Sequence, residues 1–554
     1  MKMENKRMKK TKKYCIIGVL ALIVASIYYY VTLPAINIHS TGFWSFLLFG
    51  LAVIIVISAL KGIGKPQRII ENNTFQFDFK GVKLSKITKL FIGIFIALVL
   101  VYLGGSILSS TFVNAKKYQS LLKIEERNFT DDIKEVDFNT IPLLDRDSAA
   151  LLGNRKMGSM VDMVSQFEVS NNYAQINYKD TPVRVAPLVY ASPIKWLTNQ
   201  SQGIPAYIMI NMTNQNTECV KLEQGIKYSK SEYFNRNLYR HLRFQYPTYI
   251  FDEQISFEIG DDGVPYWICP VKKFNIGLFG GRTIGNVVIC NAITGECKDY
   301  AVKDVPQWVD KVYSAELLIQ LYDYSGILKH GYWNSVLGQK DCLQSTNGYN
   351  YIALEDDVWV YTGITSVSGD QSNVGFVLMN QRTMETRYYK VEGAIEDSAM
   401  SSAEGQVQNL GYRSTFPLLL NIANEPTYFM ALKDDAGLVK KYAMVNVQKY
   451  QWVAIGDTVK ECEKQYVQLL NTNGIVSELA SDVKTVTGKI TSIAPIVLEG
   501  NTHYYVCVEG AEDIFNIDMS NVDLISIVKY HEGDMLTLQY HEEYGLNTVV
   551  KVGK

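Results

Sequence analysis

The chain has 554 residues, 54 Lys/Arg against 56 Asp/Glu, and 47% hydrophobic residues. That length exceeds one hydrophobic core and predicts several domains. The ordinary charged fraction of 20% excludes a wholly disordered chain and an all-membrane protein, and the near-zero total conceals a strong asymmetry along the sequence.

Residues 1–13, MKMENKRMKKTKK, form a basic tail with seven Lys/Arg. Three apolar runs follow within residues 14–111: Tyr14–Leu33, Phe43–Leu60 and Leu90–Leu108. Each is roughly 18–20 residues long without a charged side chain, enough to cross about 30 Å of hydrocarbon as a helix. The first run is longer than a signal-peptide core and lacks a small-x-small cleavage site. Residues 61–89 carry seven more Lys/Arg, whereas the connector PAINIHSTG (Pro34–Gly42) carries none. Basic flanks stay in the cytoplasm. The sequence therefore predicts a multi-pass cell-membrane protein with a cytoplasmic N-terminus, a cytoplasmic 61–89 loop and an extracytoplasmic C-terminal ectodomain. Polar side chains in the runs are mainly Ser, Thr and Tyr, which disfavours a transport path. Gly104 and Gly105 suit close packing of one helix on another.

Beyond the third run, 40 Lys/Arg face 53 Asp/Glu, a formal net charge of −13. Such a surface is repelled by phosphate polymers, so a nucleic-acid partner is not expected. Residues 112–184 read as a membrane-proximal α/β segment. Within LDRDS, Asp145 or Asp147 is expected to cap a short helix beginning at Ser148. The same pair lacks the further oxygen ligands of a calcium loop. The stretches VSQFEVS, YAQINY and VRVAPLVY then alternate as strands.

Residues 185–475 read as four repeats. The strand opening each unit is GIPAYIMI (Pro205, Tyr207), GVPYWICP (Pro265, Trp267), DDVWVYTG (Asp356–Gly363) and NEPTYFMAL (Pro426, Tyr428). Each is followed by a hairpin tip: NQNTE (Asn214–Glu218), NAITGE (Asn291–Glu296), NQRTME (Asn380–Glu385) and NVQKYQ (Asn446–Gln451). Asn suits the bend because its side chain bonds the backbone two residues on. A helix follows in SEYFNRNLYRHL, SAELLIQLYDY, EDSAMSSAEGQVQ and DTVKECEKQYVQLL, with Ser398 and Asp457 as N-cap candidates. One such unit cannot bury both its sheet face and its helix stripe, so neighbours are expected to share cores. This antiparallel-sheet-plus-helix unit resembles the PepSY-type domain, a small extracytoplasmic module that occurs in tandem in bacterial envelope proteins. The resemblance implies restraint or binding of peptidases, or other protein contacts near the membrane, and carries no site residue with it.

Seven cysteines follow the third run: Cys219, Cys269, Cys290, Cys297, Cys342, Cys462 and Cys507. An odd number leaves at least one unpaired within the chain, and no C-x-x-C supports a thioredoxin-like motif or a zinc ribbon. Cys290 and Cys297 flank the second tip. The equivalent place in the first unit has only Cys219, and the third and fourth have none. Structural thiols are the favoured reading, a local Cys290–Cys297 disulfide the alternative, and a metal or catalytic role ranks below both.

Residues 484–554 alternate as short strands separated by Gly, Asn and Asp turns, which predicts a small all-β barrel, OB-like. Five Lys against ten Asp/Glu oppose the basic groove of a single-strand binder. His503, His531 and His541 lie here, but their spacing alone makes no zinc site.

No G-x-S-x-G, H-E-x-x-H or P-loop signature is present, nor S-x-x-K together with its partner motifs, and the Gly-rich GLFGGRTIGN sits between strands rather than before a helix. No cofactor, metal or catalytic residue is assigned. Among aromatic residues, Trp333 and Trp359 are the candidate binding surface. The whole reads as an α+β protein: three N-terminal transmembrane helices, tandem antiparallel-sheet-plus-helix repeats, then the OB-like barrel. The expected role is a non-catalytic, membrane-anchored extracytoplasmic scaffold, binding or regulatory protein of the cell envelope, with a protein partner and an envelope glycan left open as a ligand. The alternative is an extracytoplasmic enzyme, or an enzyme's accessory subunit, whose site no motif reveals.

Overall fold

Long apolar runs without charge fold as helices because a bilayer leaves the backbone no other donors or acceptors. Among the described residues, two helices, Thr41–Leu60 and Lys86–Leu108, are long and apolar enough to cross a membrane. At 1.5 Å per residue they span about 30 and 35 Å. The expectation of three is corrected to two: the first run is helical over Ala21–Thr32, about 18 Å, and its N-terminal part lies outside the described residues. The computed structural model describes residue 19 and residues 21–60, 67–71, 74–78, 85–134, 144–179, 181–366, 372–473, 484–498, 501–511, 513–519, 521–543 and 546–553. The basic tail 1–13 and much of the 61–89 loop fall outside them.

The chain divides into two compact units, Met1–Tyr466 and Val467–Lys554. Among the described residues, the first unit holds four larger sheets in chain order, besides the two-stranded pairings of Gln67–Glu71 with Thr74–Asp78 and of Ser372–Asn373 with Gly393–Ala394. The first contains Phe167–Val169, Ala174–Tyr178, Thr181–Tyr190, Ile204–Asn211 and Thr217–Ile226. The second contains Ser256–Ile259, Pro265–Ile276, Gly280–Asn291 and Cys297–Ala301. The third is built on Leu343–Ser345, Asn350–Leu354, Asp357–Ser366, Gly375–Asn380 and Thr386–Tyr389, with Glu125–Arg127 added in parallel at the edge. The fourth contains Arg413–Ser414, Leu418–Ile422, Glu425–Lys433, Val439–Asn446 and Val453–Gly456.

Each sheet carries one hairpin with the same tip chemistry. The Oδ1 atoms of Asn211, Asn291, Asn380 and Asn446 accept backbone N–H groups two and three residues on, at 2.8–3.1 Å. The same asparagines donate their own N–H across the hairpin to Asn216, Glu296, Glu385 and Trp452. The residue after each donates to the carbonyl of Pro182, Pro265, Val358 or Pro426, at the head of the neighbouring strand. An Asn at this position satisfies two turn donors that have no strand partner. The first unit is thereby corrected by one strand. Its tip is headed by Asn211, not Asn214, and the strand matching the other openers is Thr181–Tyr190 with Pro182, not the one with Pro205. The boundary drawn at 184/185 falls inside that strand.

Period-two alternation splits the second sheet between two cores. Trp267, Cys269, Val288 and Cys290 face the first sheet's Ile208 and Leu188. Ile268, Val287 and Ile289 face the helix Ala315–Ile327 and the third sheet's Val360, Val377 and Met379. That helix is capped by Ser314, whose Oγ accepts the Leu317 N–H. Asp145 caps Arg146–Gly158 as expected, accepting from Ser148 N–H at 2.9 Å, though the helix begins two residues before Ser148. Ser398 is no cap: the helix Glu396–Gln406 already starts after Ile395. Nor is Asp457, because Thr458 Oγ1 accepts the Glu461 N–H and Asp457 lies one residue outside.

The Gly-rich connection is a tight turn joining Pro265–Ile276 to Gly280–Asn291, and it rests on the membrane helices. Phe279 N–H donates to Ser109 Oγ at 3.1 Å, and Phe279 packs on Tyr102 with ring centroids 5.1 Å apart. A Cβ on Gly105 would come within 2.4 Å of Leu278 Cδ1, while none would meet anything at Gly104. Gly105 therefore serves this docking rather than helix–helix packing. Gly277, at φ 58, leaves room for Ser109.

The second unit contains a closed barrel: Lys484–Leu498, Asn501–Val508, Ile514–Asp518, Leu546–Gly553 and Met535–Glu543 in that spatial order, the last pairing with the first. Its core holds Val506, Phe515, Ile517, Leu536 and Leu538. The third and fifth strands in chain order pair in parallel, and Val522–Lys529 forms a 3₁₀ segment between the third and fourth.

Candidate functional site

The second tip assembles a cluster that the spacing did not disclose. Asn291 N–H bonds Glu296 O at 2.8 Å, so the next pair inward, Cys290 opposite Cys297, is a non-hydrogen-bonded pair. Such pairs have Cα atoms about 4.5 Å apart and side chains on the same face. Cys290 also stands opposite Trp267 on its other side, and Cys269 opposite Val288, which puts Cys269 on that face one diagonal step away.

His241 reaches the pair from the helix Leu238–Gln245, which Asn237 caps through the Arg240 N–H. Its Nε2 lies 2.8 Å from Gly295 O and 3.0 Å from the Gln245 amide, and its ring packs on Tyr228 with centroids 4.4 Å apart. One ligand atom each from His241, Cys290 and Cys297 lies within 4.8 Å of the other two; among the described residues, no other three His, Cys, Asp or Glu side chains converge so. Cys290 is buried; Cys297 and His241 are half-buried. All seven described cysteines are free thiols.

The electrostatics are those of two sulfurs sharing a proton. The hydrogen bond to Cys297, with burial, pushes the Cys290 thiol far up. The hydrogen bond from Cys290 holds Cys297 below its ordinary value against the opposing effect of burial, and His241 adds to the lowering. Burial pulls the His241 imidazole down, but its bonds to Cys297 and Gly295 O leave it raised. The set therefore combines a thiolate-prone sulfur, a thiol and an imidazole, which are donors for a borderline-soft cation and also the parts of a dithiol.

The same helix touches the first apolar run with its other residues. The Arg240 guanidinium lies over the Tyr30 ring at 4.3 Å, Arg243 Nε donates to Leu33 O at 3.0 Å, and Phe244 packs on Tyr29 and Tyr30.

The aromatic candidates separate. Trp359 is corrected from surface to core: it is fully buried, donates Nε1–H to Leu354 O at 2.9 Å, and lies under the Arg387 guanidinium at 4.3 Å. Trp333 is 64% exposed and packs edge-on against Phe112, three residues beyond the end of the second membrane helix at Ser109. An open groove of about 640 Å³, bordered by Arg127, Phe129, Lys390, Glu392 and Pro426, adjoins the third and fourth sheets. In the barrel, His503 bonds Asn516 and His531 is exposed beside Asp534; His541 stands opposite Thr548, its side chain outside the described residues.

No family model and no curated protein matches the chain. Among solved structures, it is similar to the crystal structure of an ACO/RPE65 chimera in a monoclinic form, at 7% identity and a TM-score of 0.14, over 71% of this chain and 66% of that one. The chain thus spans just under two thirds of that structure's length, and the likeness carries no argument about fold or function.

Proposed function

We propose that this chain is a non-catalytic scaffold of the bacterial cell envelope, anchored in the membrane and presenting four PepSY-like modules and an OB-like barrel to an extracytoplasmic protein partner. The observation that carries the reading is the joint between sheet and membrane helices. Phe279 and Leu278 seat on Ser109 and Gly105, and Ile36 N–H donates to Pro247 O at 2.8 Å. A stack of sheets fixed this way holds its surfaces at a set place above a bilayer, which is what a scaffold needs. The modular part is supported by the shared asparagine tip of the four sheets, and the OB-like part by the barrel's 1-2-3-5-4 strand order. The excess of acid after the third run favours a protein over a nucleic acid.

The test is photo-crosslinking in cells. The tagged full-length protein carries a crosslinker at Lys390 or Glu392, on the open groove. Recovery of one defined protease, synthase or secretion component from both positions is expected. A monomeric protein with no crosslinked partner contradicts the scaffold and turns attention to an enzyme.

A further inference from the structure

We propose that His241, Cys290 and Cys297 form a zinc-class metal site that clamps the helix Leu238–Gln245 to the second sheet. The proposal stands on how three independent elements converge. Two adjacent strands supply the sulfurs as a non-hydrogen-bonded pair, and a helix some fifty residues earlier in sequence supplies the imidazole, with all three donor atoms within 4.8 Å of one another.

Tetrahedral zinc, with bonds of about 2.3 Å to sulfur and 2.0 Å to nitrogen, holds its ligands roughly 3.5–3.8 Å apart. Small side-chain rotations of the half-buried Cys297 and His241 cover the difference, while Cys290 stays fixed in the strand. Two sulfurs and an imidazole favour zinc or another borderline-soft ion over calcium or magnesium, which take oxygen. The rim is already built: with Nε2–H donating to Gly295 O, the imidazole is oriented as outer partners orient metal-bound histidines, and Nδ1 is left for the cation. The fourth coordination position is left to water. On binding, the cation accepts electron pairs from both sulfurs and one ring nitrogen, and the thiol protons are released to the buffer; no oxidant or reductant takes part.

The clamp has a mechanical consequence that does not depend on the scaffold reading. Arg240, Arg243 and Phe244, the neighbours of His241, hold the first apolar run at Tyr29, Tyr30 and Leu33. A metal at His241 therefore ties the second sheet's outer hairpin to that segment through one helix.

The experiment uses purified full-length protein in detergent, kept reduced under anaerobic conditions and freed of metal with a chelator. Cobalt(II) is added as the probe, then displaced by zinc in competition with a chromophoric chelator. One equivalent per chain is expected, with sulfur-to-cobalt charge-transfer absorption and tetrahedral visible bands. Cys290→Ser, Cys297→Ser and His241→Asn are each expected to weaken binding by about 100-fold or more, while Cys219→Ser, outside the donor group, leaves it unchanged. Circular dichroism confirms that each variant is folded. The proposal is overturned if folded wild-type protein takes up no cobalt, if the three ligand variants bind as wild type does, or if Cys290 and Cys297 are recovered as a disulfide that resists reduction.

Discussion

Replacing Asn380 with alanine removes one of the two fully buried turn asparagines, the other being Asn446. Asn380 is 2% exposed. Its Oδ1 accepts the N–H groups of Arg382 and Thr383 at 2.8 and 2.9 Å, and its Nδ2 donates to Asp357 Oδ2 at 2.8 Å. Asp357 keeps its two 2.7 Å bonds from the Arg382 guanidinium, so it does not become an orphan charge. Three bonds at a net of about 1 kcal/mol each, plus the desolvation of donors left unpaired, give roughly 2–4 kcal/mol. In hydrogen exchange this is roughly a 30- to 1,000-fold loss of protection across residues 375–389, at tenfold per 1.4 kcal/mol. Asn211→Ala breaks the same pair of backbone bonds at a half-buried site and should cost about 1–2 kcal/mol. Asn380→Asp keeps the acceptor but sets a carboxylate against Asp357, and should also destabilise. The reasoning is refuted if Asn380→Ala exchanges like wild type, or if Asn211→Ala costs more.

Trp359→Ala should lower stability by about 3–5 kcal/mol in denaturant unfolding of the full chain, the range for a buried aromatic, while Trp333→Ala should change it by under about 1 kcal/mol. Trp333 fluorescence should instead be quenched by brominated lipid in reconstituted vesicles, because Phe112 against its ring lies three residues beyond the end of the membrane helix at Ser109; absence of quenching contradicts this placement. Burial works against ionised Asp145, yet hydrogen bonds from Lys433 and Ser148, with the Lys433 charge, hold its carboxyl below the ordinary value. A carboxylate lowered in the folded state contributes stability above about pH 4 that is lost as pH falls through the folded value. Asp145→Asn should therefore flatten the acid limb of a pH-stability curve without changing the alkaline limb.

Local chemistry made much of the fold legible. Charge-free runs marked the membrane helices, and alternation marked most strands of the four sheets and the barrel. Asp145 stood out as a cap because a helix must satisfy its first N–H groups. What failed was choice between neighbours with equal chemistry. Pro205 and Pro182 both open apolar strands, and only pairing reveals that Pro182 accepts from Met212 beside the Asn211 tip. Asp457 and Thr458 both can cap, and the helix start decides. Gly104 and Gly105 read as a helix-packing pair, whereas Leu278, about 170 residues away, needs only Gly105. The site shows the same limit. Cys290 and Cys297 bracket the six residues Asn291–Glu296, and whether they face each other turns on the loop length, which pairing alone fixes. His241 joins them only through tertiary packing of a short helix, for which no spacing rule exists.

The most direct test of a membrane-anchored, extracytoplasmic sheet stack is protease accessibility in intact cells stripped of their outer wall, with one epitope at the N-terminus and one after Lys554. Protease added outside should remove the C-terminal epitope and leave the N-terminal one on a short membrane-protected fragment. Loss of the C-terminal epitope only after permeabilisation would place the sheets in the cytoplasm and contradict the account.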